Sequence, residues 1–281
     1  MSAVVLAATG GAVLGLIQPA PTVHGCHGTY AVSLPASPST FALDATSCTS
    51  VVSAGSATTS APPAFPTAPP LTADGHLFES SQRFAQFQTG GYAMSNDEWG
   101  TGYNTQTLWV NSSQNWGIHA TQPDTPDVKS YANIGVNLHT SLDSLTSVTS
   151  SFNETNPVGG SWESAYDLWL DGTGIEVMAW TYESGGVQPL GQPVGTVTLG
   201  GSTWTLFVGN NGHNPTYSFV REGNENSGTV DLLSLLKYLE KAGYFSNPVL
   251  SSIQYGWEIT GTGDVEKDFT MNEYSAAIGT S

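Results

Sequence analysis

One stretch limits what this chain can fold into more than any other: residues 164–182, reading SAYDLWLDGTGIEVMAWTY. Two runs of aromatic and branched residues flank Asp171-Gly172-Thr173-Gly174, and such runs around a Gly-containing turn specify a β-hairpin. A turn closing between Asp171 and Gly174 sets the pairing. Leu170 then stands opposite Ile175, Trp169 opposite Glu176, Asp167 opposite Met178 and Ala165 opposite Trp180. Because side chains alternate along a strand, Asp167, Trp169, Glu176, Met178 and Trp180 share one face, with Asp167 diagonal to Glu176. The other face, formed by Tyr166, Leu168, Leu170, Ile175, Val177 and Ala179, is almost purely apolar and belongs in a core. Carboxylates and flat aromatic rings on one sheet face describe a sugar-binding cleft. Slipping the register by one residue would bury both acids, so the pairing is tightly specified.

The rest of the body is punctuated in the same way. Residues 107–110, 115–119, 135–139, 196–199, 203–208, 216–220 and 253–259 are short β-type runs separated by Gly, Asn, Ser and Pro. Together with the hairpin arms they predict an all-β, two-sheet sandwich with a concave cleft. One segment breaks the pattern. Between residues 229 and 242, Leu232, Leu235, Leu236 and Leu239 fall at helical spacing, with Lys237 and Lys241 near the end and Gly243 as a stop, so one helix is expected to pack on the sandwich.

Charge narrows the choice of partner. Six Lys and Arg stand against 23 Asp and Glu, a formal charge of -17, which repels nucleic acid and anionic membrane. Only 10% of residues are charged, so the surface is built largely from neutral polar groups that suit a hydroxyl-rich partner. The chain is expected to be a monomer that needs no cofactor. Residues 3–17, AVVLAATGGAVLGLI, have the length of a signal-peptide core and are short for a membrane span. Residues 1–22 are therefore read as a secretion signal, or as a cell-surface anchor where they are retained. Cys26 and Cys48 are the only cysteines, and in an exported chain one disulfide between them is expected. The alternatives are a lipoprotein-type cleavage before Cys26 and a metal site at His24, Cys26 and His27; no second ligand cluster lies nearby, so no metal is expected. Residues 51–74 are rich in Pro, Ala, Ser and Thr without periodicity and read as an extended linker. The chain thus divides into 1–22, a small Cys-containing segment with its linker at 23–75, and a body at 76–281.

A second informative stretch is SIQYGWEITGTG at 252–263. As a strand it places Gln254, Gly256 and Glu258 on one face and Tyr255, Trp257 and Ile259 on the other. Gly256 beside Glu258 marks a close approach of another backbone or of a ligand. Two glutamates on facing strands of a concave sheet would bracket a glycosidic bond, one attacking the anomeric carbon and the other protonating the leaving oxygen. Taken singly, an acid in a strand is more often solvated or paired than catalytic. Two other readings stay open from the residues alone. One is a carbohydrate-binding β-sandwich without catalysis, and the other an acid peptidase of the glutamic type built on Gln254 and Glu258.

Seven blocks along the body, in order, resemble glycoside hydrolase family 12, the β-jelly-roll endoglucanases and xyloglucanases. They are GGYAMSNDEWG (90–100), VKSYANI (128–134), AYDLWLD (165–171), EVMAW (176–180), QPLGQPVGTVTLGGSTWTL (188–206), YSFV (217–220) and YGWEITG (255–261). The resemblance implies a secreted, retaining endo-β-1,4-glucanase acting on cellulose, mixed-linkage glucan or xyloglucan. By it, Glu176 is the nucleophile, Glu258 the general acid/base and Asp167 a carboxylic acid sharing a proton with the nucleophile. Trp99 is implied as a sugar-stacking platform, with Asn96, Met178, Trp180 and Gln254 as further substrate-binding residues. The chain departs from the family where Asp97 and Glu98 add negative charge before Trp99, and where Ile259 rather than a proline follows Glu258. Crowded carboxyls with few basic partners lead to an expected pH optimum of about 3 to 5.5.

Overall fold

The computed structural model describes residues 71–281. The expected leader at 1–22, Cys26, Cys48 and the linker up to residue 70 lie outside the described residues. The first strands are β1 (Phe78–Ser80), β2 (Gln86–Thr89), β3 (Tyr92–Ser95), β4 (Thr105–Ser112), β5 (Asn115–Thr121) and β6 (Ser130–Ser141). There follow β7 (Leu145–Thr155), the hairpin arms β8 (Ser161–Leu170) and β9 (Ile175–Ser184), β10 (Gln192–Leu199), β11 (Ser202–Asn210), β12 (Pro215–Arg221) and β13 (Ser227–Asp231). Helix α1 (Leu232–Lys241) precedes the long closing strands β14 (Val249–Gly261) and β15 (Lys267–Thr280).

These strands form two sheets, a six-stranded one in the order β1-β4-β5-β15-β7-β13 and a nine-stranded one in the order β10-β11-β12-β9-β8-β14-β6-β3-β2. This is the expected sandwich. Every pairing is antiparallel except β12 with β9. Alternation fills the space between the sheets: Leu108, Trp116, Ile118, Phe269 and Tyr274 from one meet Tyr166, Leu168, Val177, Tyr255 and Trp257 from the other, all buried. The rings interlock across it, with Trp116 5.1 Å from Trp257 and Phe152 4.9 Å from Tyr255 between centroids. At full burial each such ring contributes on the order of 2 to 3 kcal/mol of apolar transfer.

The helix needs one correction. Residues 229–231 belong to β13, and α1 begins at Leu232 because the Asp231 side chain accepts a hydrogen bond from Ser234 N at 3.2 Å and caps the first turn. The four expected leucines are all buried in the core. The end of the predicted linker also differs. Thr72 N donates to His76 O at 2.8 Å and His76 stacks on Trp109 at 4.8 Å, so the described fold takes hold a few residues before position 76.

Candidate active site

The hairpin forms in the expected register. Asp171 and Gly172 take positive φ angles of 52° and 74°, and Trp169 pairs with Glu176, Asp167 with Met178 and Ala165 with Trp180. Tyr166, Leu168, Leu170, Val177 and Ala179 enter the core, so Asp167, Glu176, Met178 and Trp180 emerge on the outer face of the nine-stranded sheet. Beyond Trp180 the register shifts by one residue, which brings Glu183 onto the same face opposite Glu163.

On the far side of β8 lies β14, with Gln254 opposite Asp167, Gly256 opposite Ala165 and Glu258 opposite Glu163. Tyr255, Trp257 and Ile259 point into the core, as the alternation requires. Gly256 has the reason expected of it: a Cβ there would collide with the carbonyl of Ala132 on β6. The two glutamates, however, are not on facing strands. β8 separates them and carries Asp167 between them, so Glu176, Asp167 and Glu258 span three neighbouring strands.

The electrostatics follow from burial among like charges. The salt bridges among the described residues join His119 to Asp268, Arg221 to Glu225, and Lys237 to Asp143 and Glu240, none of them in this group. Asp167 is 5% exposed and its Oδ1 lacks a partner. Burial, then the charges of Glu176, Glu258 and Asp97, hold it well above its ordinary 3.8. Burial and the charge of Glu176 push Glu258 up to about 7. Glu176 is also raised by burial, but it receives a hydroxyl donor, Thr216 Oγ1 to Oε2 at 2.7 Å, which favours its ionised form. The arrangement therefore separates a carboxylate that holds charge from a carboxylic acid that holds its proton.

The remaining predicted residues divide. Gln254 lies half-buried on the outer face and accepts from Trp169 Nε1 at 3.3 Å. Met178 and Trp180, 7% and 4% exposed, pack with Ala165 against Val187 and Val220. Trp180 also lines a cleft of about 420 Å³ with Glu183, Phe207 and Arg221. Trp99 sits half-exposed on a loop fixed on both sides: Arg83 donates to Glu98 O at 2.8 Å and Gly100 O at 3.1 Å, and Tyr131 N donates to Asp97 O at 3.0 Å. Asn96 is a correction. It is 0% exposed, donates to Gln82 O and Gln106 O, and accepts from Gln106 Nε2 at 3.0 Å, so it braces the loop instead of meeting a sugar. Glu98 also turns inward, accepting from Gln122 at 2.8 Å, so of the two extra acids only Asp97 adds its charge to the site. Burial raises Asp97 to about 6.

Three residues of the site were not picked out from the sequence. Thr216 reaches Glu176 through the parallel β9/β12 pairing, which no local pattern announces. Asp97 stood out only as added negative charge before Trp99, and its charge acts on Glu258 and Asp167. Glu163 was legible, since it lies four residues before Asp167 and must share its face.

Comparison with known proteins decides what this face belongs to. The profile of glycosyl hydrolase family 12 matches residues 90–279, which includes every residue just described from Asn96 to Glu258. The chain belongs to glycosyl hydrolase family 12. It is thus an enzyme, a glycoside hydrolase, and the peptidase and non-catalytic readings fall away. The xyloglucan-specific endo-beta-1,4-glucanase A of Emericella nidulans is 34% identical over 166 residues, covering 54% of this chain and 67% of that protein. The probable cellulase Cel12b of Mycobacterium tuberculosis is 30% identical over 112 residues, 37% of this chain and 74% of that protein. Among solved structures, the xyloglucanase domain of NopAA from Sinorhizobium fredii, in complex with cellobiose, superposes with a TM-score of 0.70 at 34% identity, covering 72% of this chain and 99% of that one.

Proposed function

We propose that this family 12 enzyme is a retaining endo-β-1,4-glucanase that cuts internal bonds of cellulose, mixed-linkage glucan or xyloglucan. The observation that carries the reading is the division of protonation on one sheet face. Glu176 is supplied with a hydrogen bond that favours charge, while the half-buried Glu258 is pushed up to about 7, across a strand bearing the neutral Asp167. In the first half-reaction Glu176 attacks the anomeric carbon as Glu258 gives its proton to the departing glycosidic oxygen. In the second, Glu258 takes a proton from water, whose oxygen displaces Glu176 and restores both carboxyls. Asp167 lies diagonal to Glu176 and shares a proton with it when both cannot ionise.

Trp99, half-exposed on its braced loop, offers an aromatic face on which a pyranose ring can lie. The relatives named for xyloglucan and the neighbour bound to cellobiose support a β-1,4-glucan backbone as the ligand. We place the enzyme outside the cell on the strength of the apolar run at residues 3–17.

The decisive experiment follows product configuration by NMR during early hydrolysis of barley β-glucan and xyloglucan. Retention is expected, and Glu176→Gln and Glu258→Gln should each remove nearly all activity without unfolding the chain. Inverted product, or an active Glu176→Gln enzyme, would overturn the mechanism.

A further inference from the structure

The sheet register lines up three glutamates on the outer face. Glu258 of β14, Glu163 of β8 and Glu183 of β9 occupy one row across neighbouring strands. Directly opposed side chains stand about 4.5 to 5.5 Å apart at Cβ, within reach of one another for carboxyls on two-carbon arms. Glu163, the middle member, is 1% exposed and stands directly opposite Glu258 in the register. Among the described residues nothing donates to its Oε1.

Two ionised carboxylates would repel one another at that range, so the pair retains a proton over the acid range. The surroundings decide where. The groups that face the pair are Glu183 from β9, Tyr131 from β6 opposite Glu258, Asp97 from the loop after β3, and Glu176 and Asp167 farther along the face. Tyr131 spends its hydroxyl on Ala165 O at 3.0 Å, and neither Lys nor Arg pairs with any of these acids. Glu163 is the more deeply buried partner, while Glu258 is half-buried beside it. Burial and the charges of Glu258 and Glu183 also drive Glu163 well above the ordinary 4.5.

We propose that Glu163 is a positioning residue for the acid/base: it remains a carboxylic acid throughout the working range, donates its O–H to Glu258, and thereby orients Glu258 and steadies its carboxylate between the two half-reactions. Glu163 itself exchanges no proton with substrate. The inference rests on Glu258 being the acid/base, as proposed above.

The test compares Glu163→Ala and Glu163→Gln with the unaltered full chain, using pH profiles of kcat/KM on barley β-glucan and thermal unfolding as a control on folding. Without the donor the carboxylate of Glu258 is less favoured. In Glu163→Ala the alkaline limb should therefore move up by about one pH unit and kcat fall about tenfold. The amide of Glu163→Gln still donates, so its limb should stay within about 0.3 units of the parent and most of kcat should return. A folded Glu163→Ala enzyme whose profile superposes on the parent would overturn the proposal, as would equal displacement of the limb in both variants. If Glu163→Ala does not fold, Glu163→Gln decides alone, and a limb displaced by about one unit or more refutes the assignment. Glu258→Gln is measured alongside on the same glucan and on an aryl β-cellobioside with a good leaving group. If it keeps its activity on glucan, the acid/base reading fails and takes this proposal with it. If Glu258→Gln is inactive on glucan while Glu163→Ala matches the parent, only the proposal fails.

Discussion

Replacing Thr216 with valine keeps the shape of the side chain and removes the hydroxyl that donates to Glu176 Oε2 over 2.7 Å. A hydrogen bond to a charged group contributes about 1.5 to 3 kcal/mol. One pK unit corresponds to about 1.36 kcal/mol, so its loss should raise the pKa of Glu176 by about one to two units. The direction is fixed by the environment: burial already raises Glu176, and the Thr216 hydroxyl is what opposes it. In the proposed mechanism Glu176 attacks as a carboxylate, so the acid limb of kcat/KM should move to higher pH by that amount. The alkaline limb belongs to Glu258, near 7, and should stay where it is. With the two limbs drawn together, the bell narrows and its maximum drops. Reducing-sugar release from barley β-glucan, measured well below KM between about pH 3 and 8, reads both limbs, and thermal unfolding reports whether the fold is kept. A folded Thr216→Val enzyme with an unmoved acid limb would refute the claim that this hydroxyl keeps Glu176 ionised.

Asp167→Asn removes the proton that the neutral Asp167 shares with the Glu176 carboxylate, so the acid limb should move to higher pH; a limb that does not move would end the argument for a shared proton. Trp99→Ala should raise KM about tenfold with kcat much less affected, because stacking serves ground state and transition state alike, and a selective fall in kcat would contradict that. Glu154, 3% exposed between the sheets, is raised from 4.5 to about 7, chiefly by burial and against hydrogen bonds from Ser164 and Asn156. Its contribution to stability is complete below about 4.5 and is lost as pH rises through 7, a change on the order of 3 kcal/mol that urea unfolding should detect and Glu154→Gln should flatten.

The strands that were legible in the sequence are those whose two faces differ. The β8/β9 hairpin alternates cleanly because one side meets the core and the other meets substrate. β7 escapes such a reading because its inward row, Val148, Ser150, Phe152 and Glu154, mixes polar with apolar groups. β15 escapes it for a different reason. Phe269 and Met271 point inward, a bulge at Asn272 shifts the parity, and Tyr274 then takes up the inward face, so no single period spans the strand. The site divides along the same line. Glu176, Asp167 and Glu258 follow from face and family blocks, whereas Thr216 depends on which distant strand lies beside β9, and Asn96 on whether a loop residue faces in or out. Hydrogen bonding to Gln82 and Gln106 settled the latter, and neither partner is near it in the chain.

The shortage of basic residues, which the composition made plain, acquires a chemical meaning on this face. Double displacement needs one carboxyl charged and another protonated at the same pH, although Glu176 and Glu258 start from the same ordinary value. A lysine or arginine beside Glu258 would stabilise its carboxylate and take away the proton it must donate. Burial among other acids does the reverse, provided the nucleophile has a neutral donor of its own. Thr216 is that donor. The cost of holding Asp97, Glu163, Asp167 and Glu258 close together then falls on the stability of the fold, where the interlocked rings between the sheets offset it. The same account explains why lowering the pH should stabilise this protein through the range in which it gains protons: each acid that the fold raises holds a proton in the folded state at a pH where the unfolded chain has already lost it, so its stabilisation is complete below the ordinary carboxyl value and fades as pH rises through the raised one.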